Sequence, residues 1–114
     1  MKLKGERVAS DVIKELSNIL LTEVKDDDLK KVTITYATVT NDLSSAKIYF
    51  TTLDDGKRDK VIKDINNARG YFRSELAKRL NIRHIPELHF VYDTSIEYGQ
   101  KIESIIKEIN EEES

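Results

Sequence analysis

Apolar residues near the start of the chain recur at three- and four-residue steps, the spacing that places side chains on one face of a helix. The residues that follow this spacing are Val8, Val12, Leu16, Ile19 and Leu20. The pattern predicts an amphipathic helix over about residues 4–24. The polar segment Lys25–Asp28 then interrupts the stripe. It lacks the spaced ligands of a calcium loop, so we expect a polar turn there.

The next two segments alternate between apolar and polar positions. Val32, Ile34 and Tyr36 alternate with Thr33, Thr35 and Ala37, and Ala46, Ile48 and Phe50 alternate with Lys47, Tyr49 and Thr51. Alternation among β-branched and aromatic residues predicts two strands. The turn-forming segment Asn41–Ser44 lies between them and predicts a hairpin.

A second helical stripe follows the hairpin. Asp54, Asp55 and Gly56 end the second strand and offer an acidic N-cap. The stripe consists of Val61, Ile65, Ala68, Phe72, Leu76 and Leu80. Gly70 lies inside it, where glycine costs about 1 kcal/mol relative to alanine. That cost predicts a kink or break at Gly70.

The last third of the chain predicts a strand and a helix. Pro86 suits the first position of a strand, and Leu88, Phe90 and Tyr92 alternate with His89 and Val91. Thr94 and Glu97 have the spacing of a capping box, and an apolar face follows at Ile102, Ile105, Ile106 and Ile109. The whole order predicts an α+β fold with helices on one face of a three-stranded sheet, while the strand order stays open. We expect one domain over residues 1–114, ordered to about residue 110, with a frayed acidic tail.

Composition excludes several classes of protein. The chain has 114 residues, of which 39% are hydrophobic and 35% charged, as in a small globular domain. It has no cysteine, which excludes disulfides, thiol nucleophiles and thiolate metal sites. No stretch is apolar enough to span a membrane, and residues 1–7 lack the apolar segment of a signal peptide, so we expect a cytoplasmic protein. No phosphate loop, nucleophile with its base or ligand cluster is evident, so we expect neither an enzyme nor a cofactor.

Charge is segregated along the chain although the net charge is only −2. Residues 57–85 carry nine basic and three acidic side chains, a net +6, whereas residues 86–114 carry two basic and eight acidic ones, a net −6. A concentrated basic segment is typical of a nucleic-acid-binding surface. The alternative interpretation is a solvated face that binds nothing.

Three blocks of the sequence resemble the ribosome-binding factor A family along nearly the whole chain. The blocks are Asp42–Tyr49, which is similar to the hairpin motif of the family, Ile85–Ile96, which is similar to its C-terminal signature, and Ala68-Arg69-Gly70. The third is similar to the Ala-x-Gly interruption that replaces, in this family, the Gly-x-x-Gly loop of ordinary KH domains. Asp28 departs from the family, which often has a basic residue there.

The resemblance implies a type II KH-like fold and a role in late maturation of the small ribosomal subunit. The implied partners are the free 30S subunit and its precursors, 16S rRNA near its 5′ end, and GTPases of subunit assembly. A link to growth in the cold is also implied, and we expect a monomer. The alternative is a generic KH-like RNA-binding module without ribosomal specificity.

KH modules clamp nucleic-acid backbone at a helix pair, which points to the basic segment around the proposed break. The candidate RNA-binding residues are Lys60, Lys63, Ala68, Arg69, Gly70, Arg73, Lys78, Arg79 and Arg83, and the weaker candidates are Lys4, Arg7 and Lys47. Arg69 and Arg73 rank first because a guanidinium binds phosphate in a bidentate manner. For His84 and His89 we favour surface or RNA-contact roles over catalysis. Phe72 fits the core, whereas Tyr71 is free to face outward.

Overall fold

The computed structural model describes residues 4–95 and has the predicted order of elements through the third strand. The elements are α1 (Lys4–Thr22), α2 (Asp27–Lys30), β1 (Val32–Val39), β2 (Ser45–Thr52), a 3-10 turn (Asp55–Lys57), α3 (Arg58–Asn67), α4 (Arg69–Arg79) and β3 (Glu87–Tyr92). The predicted last helix and the acidic tail lie outside the described residues. Within the described range, no helix is long and apolar enough to cross a membrane.

The three strands form one sheet in the order β1-β2-β3. β1 pairs antiparallel with β2, as expected for a hairpin, and β2 pairs parallel with β3, with Ser45 opposite Glu87 and Phe50 opposite Tyr92. A parallel pair needs a crossover, which α3 and α4 provide. The sheet therefore holds both ends of the basic helical segment in place.

A β-bulge in β1 corrects the predicted alternation. Strict alternation places Tyr36 on the apolar face and Ala37 on the polar face. In the structure Ile34 lies opposite Phe50 but Tyr36 lies opposite Tyr49, so Thr35 is the extra residue of a bulge. The bulge shifts the pattern by one position, which buries Ala37 and leaves Tyr36 exposed.

The core lies between the sheet and the helices that cover one of its faces. The buried side chains of this core include Val12, Leu16, Ile19, Ile48, Phe50, Val61, Ile65, Phe72, Leu76 and Leu88. Gly5 allows the first turn of α1 to approach the end of β1, because a Cβ at this position would collide with the Val39 carbonyl oxygen. The hairpin tip and the start of α1 are thus held together.

Two predicted local features differ in the structure. The segment around Asp26–Asp28, predicted as a polar turn, forms the short helix α2, because the Asp26 carboxylate caps it by accepting from the Asp28 N–H at 2.9 Å and Leu29 is buried. The acidic N-cap predicted for the second helix caps the 3-10 turn before α3 rather than α3 itself. Asp54 accepts from the Gly56 N–H at 3.1 Å within the 3-10 turn, and α3 begins only at Arg58.

Candidate RNA interface

The helix break predicted at Gly70 lies two residues earlier, at Ala68. Ala68 has φ −88° and ψ 5°, ends α3 and begins α4. Its N–H donates to the Asp64 carbonyl at 3.0 Å and its carbonyl accepts from the Phe72 N–H at 3.0 Å. Ile65 on α3 and Phe72 on α4, which are seven positions or about two helical turns apart, are both buried in the same core.

Gly70 is the second residue of α4, and nothing in the chain itself requires glycine there. None of the glycines in the described range has a positive φ. A Cβ built on Gly70 meets no atom within 4 Å. The missing side chain therefore leaves a bare, exposed stretch of helix backbone that another molecule can approach closely.

This bare backbone opens into a groove of about 390 Å³ between α4 and the segment that leads to β3. The lining residues are Gly70, Arg73, Ser74, Ala77, Arg83, His84 and Ile85. The four from α4 share one helix face because they are three or four positions apart. The Arg73 guanidinium donates to the Ile85 carbonyl at 3.1 Å, which holds a positive charge at the wall of the groove. Arg83 supplies a second cation from the other wall.

Several basic candidates face solvent without an internal partner. Over residues 4–95, Lys63, Arg69 and Arg83 form no ion pair, and Arg73 is bound only to a carbonyl. All four are exposed. We define the helix-side surface as Gly70 with these four cations, together with the groove that Gly70, Arg73 and Arg83 line. The structure brings Gly70, Arg73 and Arg83 together, as an anion-binding surface requires.

Lys60 has a different environment from the other candidates. Its ammonium lies 2.6 Å from an Asp64 carboxylate oxygen, 2.9 Å from Asp28 and 3.9 Å from Asp26. The hydrogen bonds to Asp64 and Asp28 raise the pKa of Lys60, and the bond to Lys60 lowers the pKa of both carboxyls. Three carboxylates around one ammonium leave no net positive charge for phosphate. Lys60 instead joins α3 to α2.

Arg79 and Lys78 also have acidic partners. The Arg79 side chain is only 22% exposed, and its guanidinium lies 3.6 Å from Glu15, 3.4 Å from Glu23 and 4.0 Å from Glu75. The pair with Glu15 joins α4 to α1, and the pair with Glu23 joins α4 to the residue directly after α1. Lys78 pairs with Glu75 at 3.1 Å but stays 69% exposed. A phosphate would have to displace these carboxylates, so the geometry ranks Arg79 and Lys78 below Arg73 and Arg83.

The three weaker candidates lie in different places. Lys4 lines a second groove of about 370 Å³ next to Arg83 and His84, which brings it close to the helix-side surface. Arg7 is exposed on the first turns of α1 and lines neither groove. Lys47 lies on β2, opposite His89, on the sheet face that the helices leave open. Lys47 therefore belongs to a separate surface.

Side-chain hydrogen bonds hold the turn at the hairpin tip, beside the second groove. Leu43 has φ 62°, a left-handed conformation that costs about 1 kcal/mol or more in a residue with a side chain. Asp42 secures the turn by accepting from the Thr40 hydroxyl at 2.7 Å and the Ser44 N–H at 3.0 Å. The hydrogen bond from Thr40, followed by those from Ser44, lowers the pKa of Asp42 to about 2.

Sequence reasoning found the arginines of the groove but missed three of its lining residues, Ser74, Ala77 and Ile85. Ser74 and Ala77 line it beside Gly70 and Arg73, and their helical spacing was the available signal. His84 lines both grooves, consistent with a surface role. The orientations expected for Phe72 and Tyr71 are confirmed, since Phe72 is 1% and Tyr71 42% exposed.

Metal ligands do not gather in the part of the chain that the structure describes. No group of three or more histidine and carboxylate side chains there could hold a metal ion. The acidic residues near α2 surround Lys60 rather than an open site. What the helix-side surface offers is a cationic groove beside uncovered backbone, a geometry that suits a polyanion.

Comparison with known proteins shows the family to which the chain belongs. The family model described as Ribosome-binding factor A matches residues 4–106. The chain belongs to the ribosome-binding factor A family. The family member of Staphylococcus carnosus is 44% identical over 113 residues, covering 98% of each chain. That of Syntrophobacter fumaroxidans is 40% identical over 114 residues, covering 96% of this chain and 97% of its own.

A crystal structure and a homology model of ribosome-binding factor A share the fold. The crystal structure of the Thermus thermophilus protein matches with a TM-score of 0.69 at 17% identity, over 77% of this chain and 93% of that one. A Thermus thermophilus homology model of the factor, fitted into a cryo-electron microscopy map of a 30S complex, matches with a TM-score of 0.64 at 18% identity, over 82% of this chain and 97% of that one. The KH-like α+β fold expected from the sequence is thereby confirmed.

Proposed function

We propose that this protein is a maturation factor of the small ribosomal subunit that binds 16S rRNA in the free 30S subunit or its precursors. The observation that carries the proposal is the cationic groove beside bare helix backbone at Gly70, in a chain of the ribosome-binding factor A family. A Thermus thermophilus member of the family has been fitted into a 30S complex, which supports the small subunit as the target. Contact near the 5′ end of the rRNA remains an inference from the family resemblance.

The ligand is expected to be the sugar–phosphate backbone of RNA. Arg73 and Arg83 lie on opposite walls of the groove, and guanidinium groups bind phosphate in a bidentate manner. Gly70 leaves room for the backbone of the ligand against the backbone of α4. Contacts of this kind position RNA without selecting its sequence, so specificity for the ribosome would come from the shape of the rRNA.

Catalysis is not part of the proposal. In the described residues the histidine of the groove, His84, has no carboxylate within the ion-pair distance, and the groove contains no serine–histidine pair at hydrogen-bonding distance. We therefore propose a binding protein that acts in the cytoplasm, where subunits are assembled. Assembly GTPases and a role in growth in the cold come from the family resemblance alone.

The decisive variant reverses the charge at both arginine positions of the groove. Arg73→Glu with Arg83→Glu should abolish co-sedimentation with 30S subunits, because each exposed glutamate would repel phosphate. Both side chains are exposed, so the circular dichroism spectrum and thermal melt should stay close to those of the wild type. Normal co-sedimentation of a folded double variant would show that the binding surface lies elsewhere.

The matched control changes net charge by the same amount outside the candidate set. Lys14→Glu with Lys25→Glu alters two exposed lysines that line neither groove. This control should lose affinity only modestly, through long-range electrostatics that salt screens. Equal losses in both double variants would mean that net charge, rather than the groove, governs binding.

Salt dependence tests the number of phosphate contacts. Once the paired side chains and the distant Arg7 and Lys47 are set aside, five cations remain at or beside the helix-side surface: Lys63, Arg69, Arg73, Arg83 and Lys4. Five contacts predict that the logarithm of the binding constant falls with the logarithm of salt concentration with a slope of about −3 to −5. An affinity indifferent to salt would contradict the proposal. A similar affinity for any unrelated RNA would instead favour a generic RNA-binding module.

A further inference from the structure

The open face of the sheet carries a pair of tyrosines that the helix-side surface does not use. Tyr36 on β1 and Tyr49 on β2 lie directly opposite each other, with ring centroids 6.0 Å apart and planes tilted by 38°. Tyr36 is 58% exposed, a high value for a large aromatic ring on a strand. The bulge at Thr35 places the ring there, since regular alternation would have turned it into the core.

The neighbouring side chains on this face add charge and hydroxyl groups. Across the sheet, the register aligns Thr38 with Lys47 and Lys47 with His89. Tyr49 is aligned with Val91, the single aliphatic side chain in this group. We define the tyrosine platform as Tyr36, Tyr49 and Lys47 with their neighbours Thr38, His89 and Val91.

A shallow groove continues the tyrosine platform at the hairpin end. It has a volume of about 310 Å³ and is lined by Thr38, Val39, Thr40, Ser45 and Lys47. The Thr40 hydroxyl already donates to Asp42, but the hydroxyls of Thr38 and Ser45 near the Lys47 ammonium are donors from which phosphate oxygens can accept. Two residues along a strand span roughly 7 Å, so Tyr49 and Lys47 can engage a base and a nearby phosphate of one extended strand.

The charged groups that border the tyrosine platform are mostly engaged elsewhere. The Asp93 carboxylate accepts from the Thr35 hydroxyl and the Ser95 N–H. Asp42 is turned toward Thr40 and Ser44 in the hairpin. Glu87 lies 4.0 Å from the His89 imidazole. Within the described residues Lys47 forms no ion pair, which leaves it as the cation next to the rings.

We propose that the tyrosine platform binds bases of single-stranded RNA, on the face of the sheet turned away from the helices. Aromatic rings on an open sheet stack on bases of any sequence, and a nearby cation holds the phosphate. Tyrosine is also common in protein interfaces, but lysine is depleted there and threonine is under-represented among the residues that carry their binding energy, so a protein partner is less suited to this face. The proposal adds a second RNA contact to the proposed function, so one bound protein can hold two segments of RNA.

The test uses a labelled octauridylate and the full-length chain carrying Arg73→Glu and Arg83→Glu, so that the helix-side surface contributes little. In this background, Tyr36→Thr should weaken binding by about 5- to 150-fold, the range for loss of one stacked base. Threonine suits a strand, so the fold should persist, which a thermal melt verifies. Tyr36→Phe keeps the ring and should keep the affinity, and Lys47→Gln should reduce the salt dependence by about one ion.

Tyr71→Thr is the matched control, since Tyr71 is an exposed tyrosine on α4. It should leave the affinity for octauridylate unchanged. Equal losses from Tyr71→Thr and Tyr36→Thr, or an affinity that Tyr36→Thr does not alter, would overturn the proposal. Failure of the background protein to bind octauridylate would overturn it as well.

The outcomes also separate this proposal from the proposed function. If Tyr36→Thr in an otherwise unaltered chain weakens 30S binding but leaves octauridylate binding unchanged, the partner of the face is a protein and the RNA assignment is wrong. If the wild type does not bind 30S subunits at all, the proposed function is wrong. Octauridylate binding still tests, independently, whether the tyrosine platform binds single-stranded RNA. Tyrosine fluorescence offers a direct readout, since the chain has five tyrosines and no tryptophan.

Discussion

Replacing Gly70 with alanine should make the protein more stable and weaken its RNA binding at the same time. The added Cβ meets no atom of the chain within 4 Å, and the backbone is not in the positive-φ region. Alanine therefore fits without strain and removes the entropic cost of glycine in a helix, about 0.5–1 kcal/mol. The same methyl group would occupy the space through which, in the proposed interface, RNA backbone approaches α4.

The size of the expected shift in Tm follows from the length of the chain. The entropy of unfolding is about 2.1 cal/mol/K per residue, which gives about 0.24 kcal/mol/K for 114 residues. A gain of about 0.5–1 kcal/mol should then raise Tm by about 2–4 °C. If the methyl group holds the RNA backbone far enough away to break one hydrogen bond to a charged phosphate group, the affinity for 30S subunits should fall about tenfold or more.

Thermal melts followed by circular dichroism and co-sedimentation with 30S subunits measure the two effects. Ser17→Ala provides the control, because Ser17 is exposed on α1 and alanine there also favours the helix while leaving the groove unchanged. It should raise Tm without changing affinity. A lower Tm for Gly70→Ala would contradict the helical backbone at this residue. A higher Tm with unchanged affinity would show that Gly70 is not part of the interface.

Two further variants test the internal ion pairs and the hairpin. Arg79→Ala should lower the free energy of unfolding by about 1–2 kcal/mol, a value between those for exposed and buried ion pairs, and urea titration measures this loss. The salt dependence of 30S binding should stay unchanged. The pKa of Asp42 is depressed to about 2 in the folded state, so its contribution to stability is present above pH 4 and is lost as the pH falls toward 2. Asp42→Asn should remove that part of the acid dependence, and identical acid titrations of the two proteins would contradict the assignment.

Local patterns in the sequence predicted most of the elements, because periodicity records which face of a helix or strand is buried. The positions of Val12, Leu16 and Phe72 in the core follow directly from it. The bulge at Thr35 could not be predicted from the periodicity, since one inserted residue leaves no local signal in a segment of alternating threonines. The parallel pairing of β2 with β3 could not be predicted from it either, because the crossover decides that pairing.

The candidate site was predicted less completely than the fold. A count of basic residues along the chain cannot distinguish Arg73, which reaches the groove, from Arg79, whose partners Glu15 and Glu23 are distant in sequence. Such a count also cannot show that Lys60 is paired, because Asp28 contacts Lys60 only when α2 packs against α3. Long-range pairing of charges thus separates structural cations from those available to bind RNA.

Directed cleavage of 16S rRNA tests the central claim most directly. The chain has no cysteine, so a single Asn67→Cys carries a hydroxyl-radical probe at the exposed end of α3, next to the break and outside the residues that line the groove. Bound to 30S subunits, this probe should cut 16S rRNA at a few clustered sites near its 5′ end, whereas a probe on Ser17→Cys of α1 should cut those sites weakly. Equal cleavage from both positions, or none from position 67 in a protein that still binds the subunit, would contradict an RNA interface at the α3–α4 break.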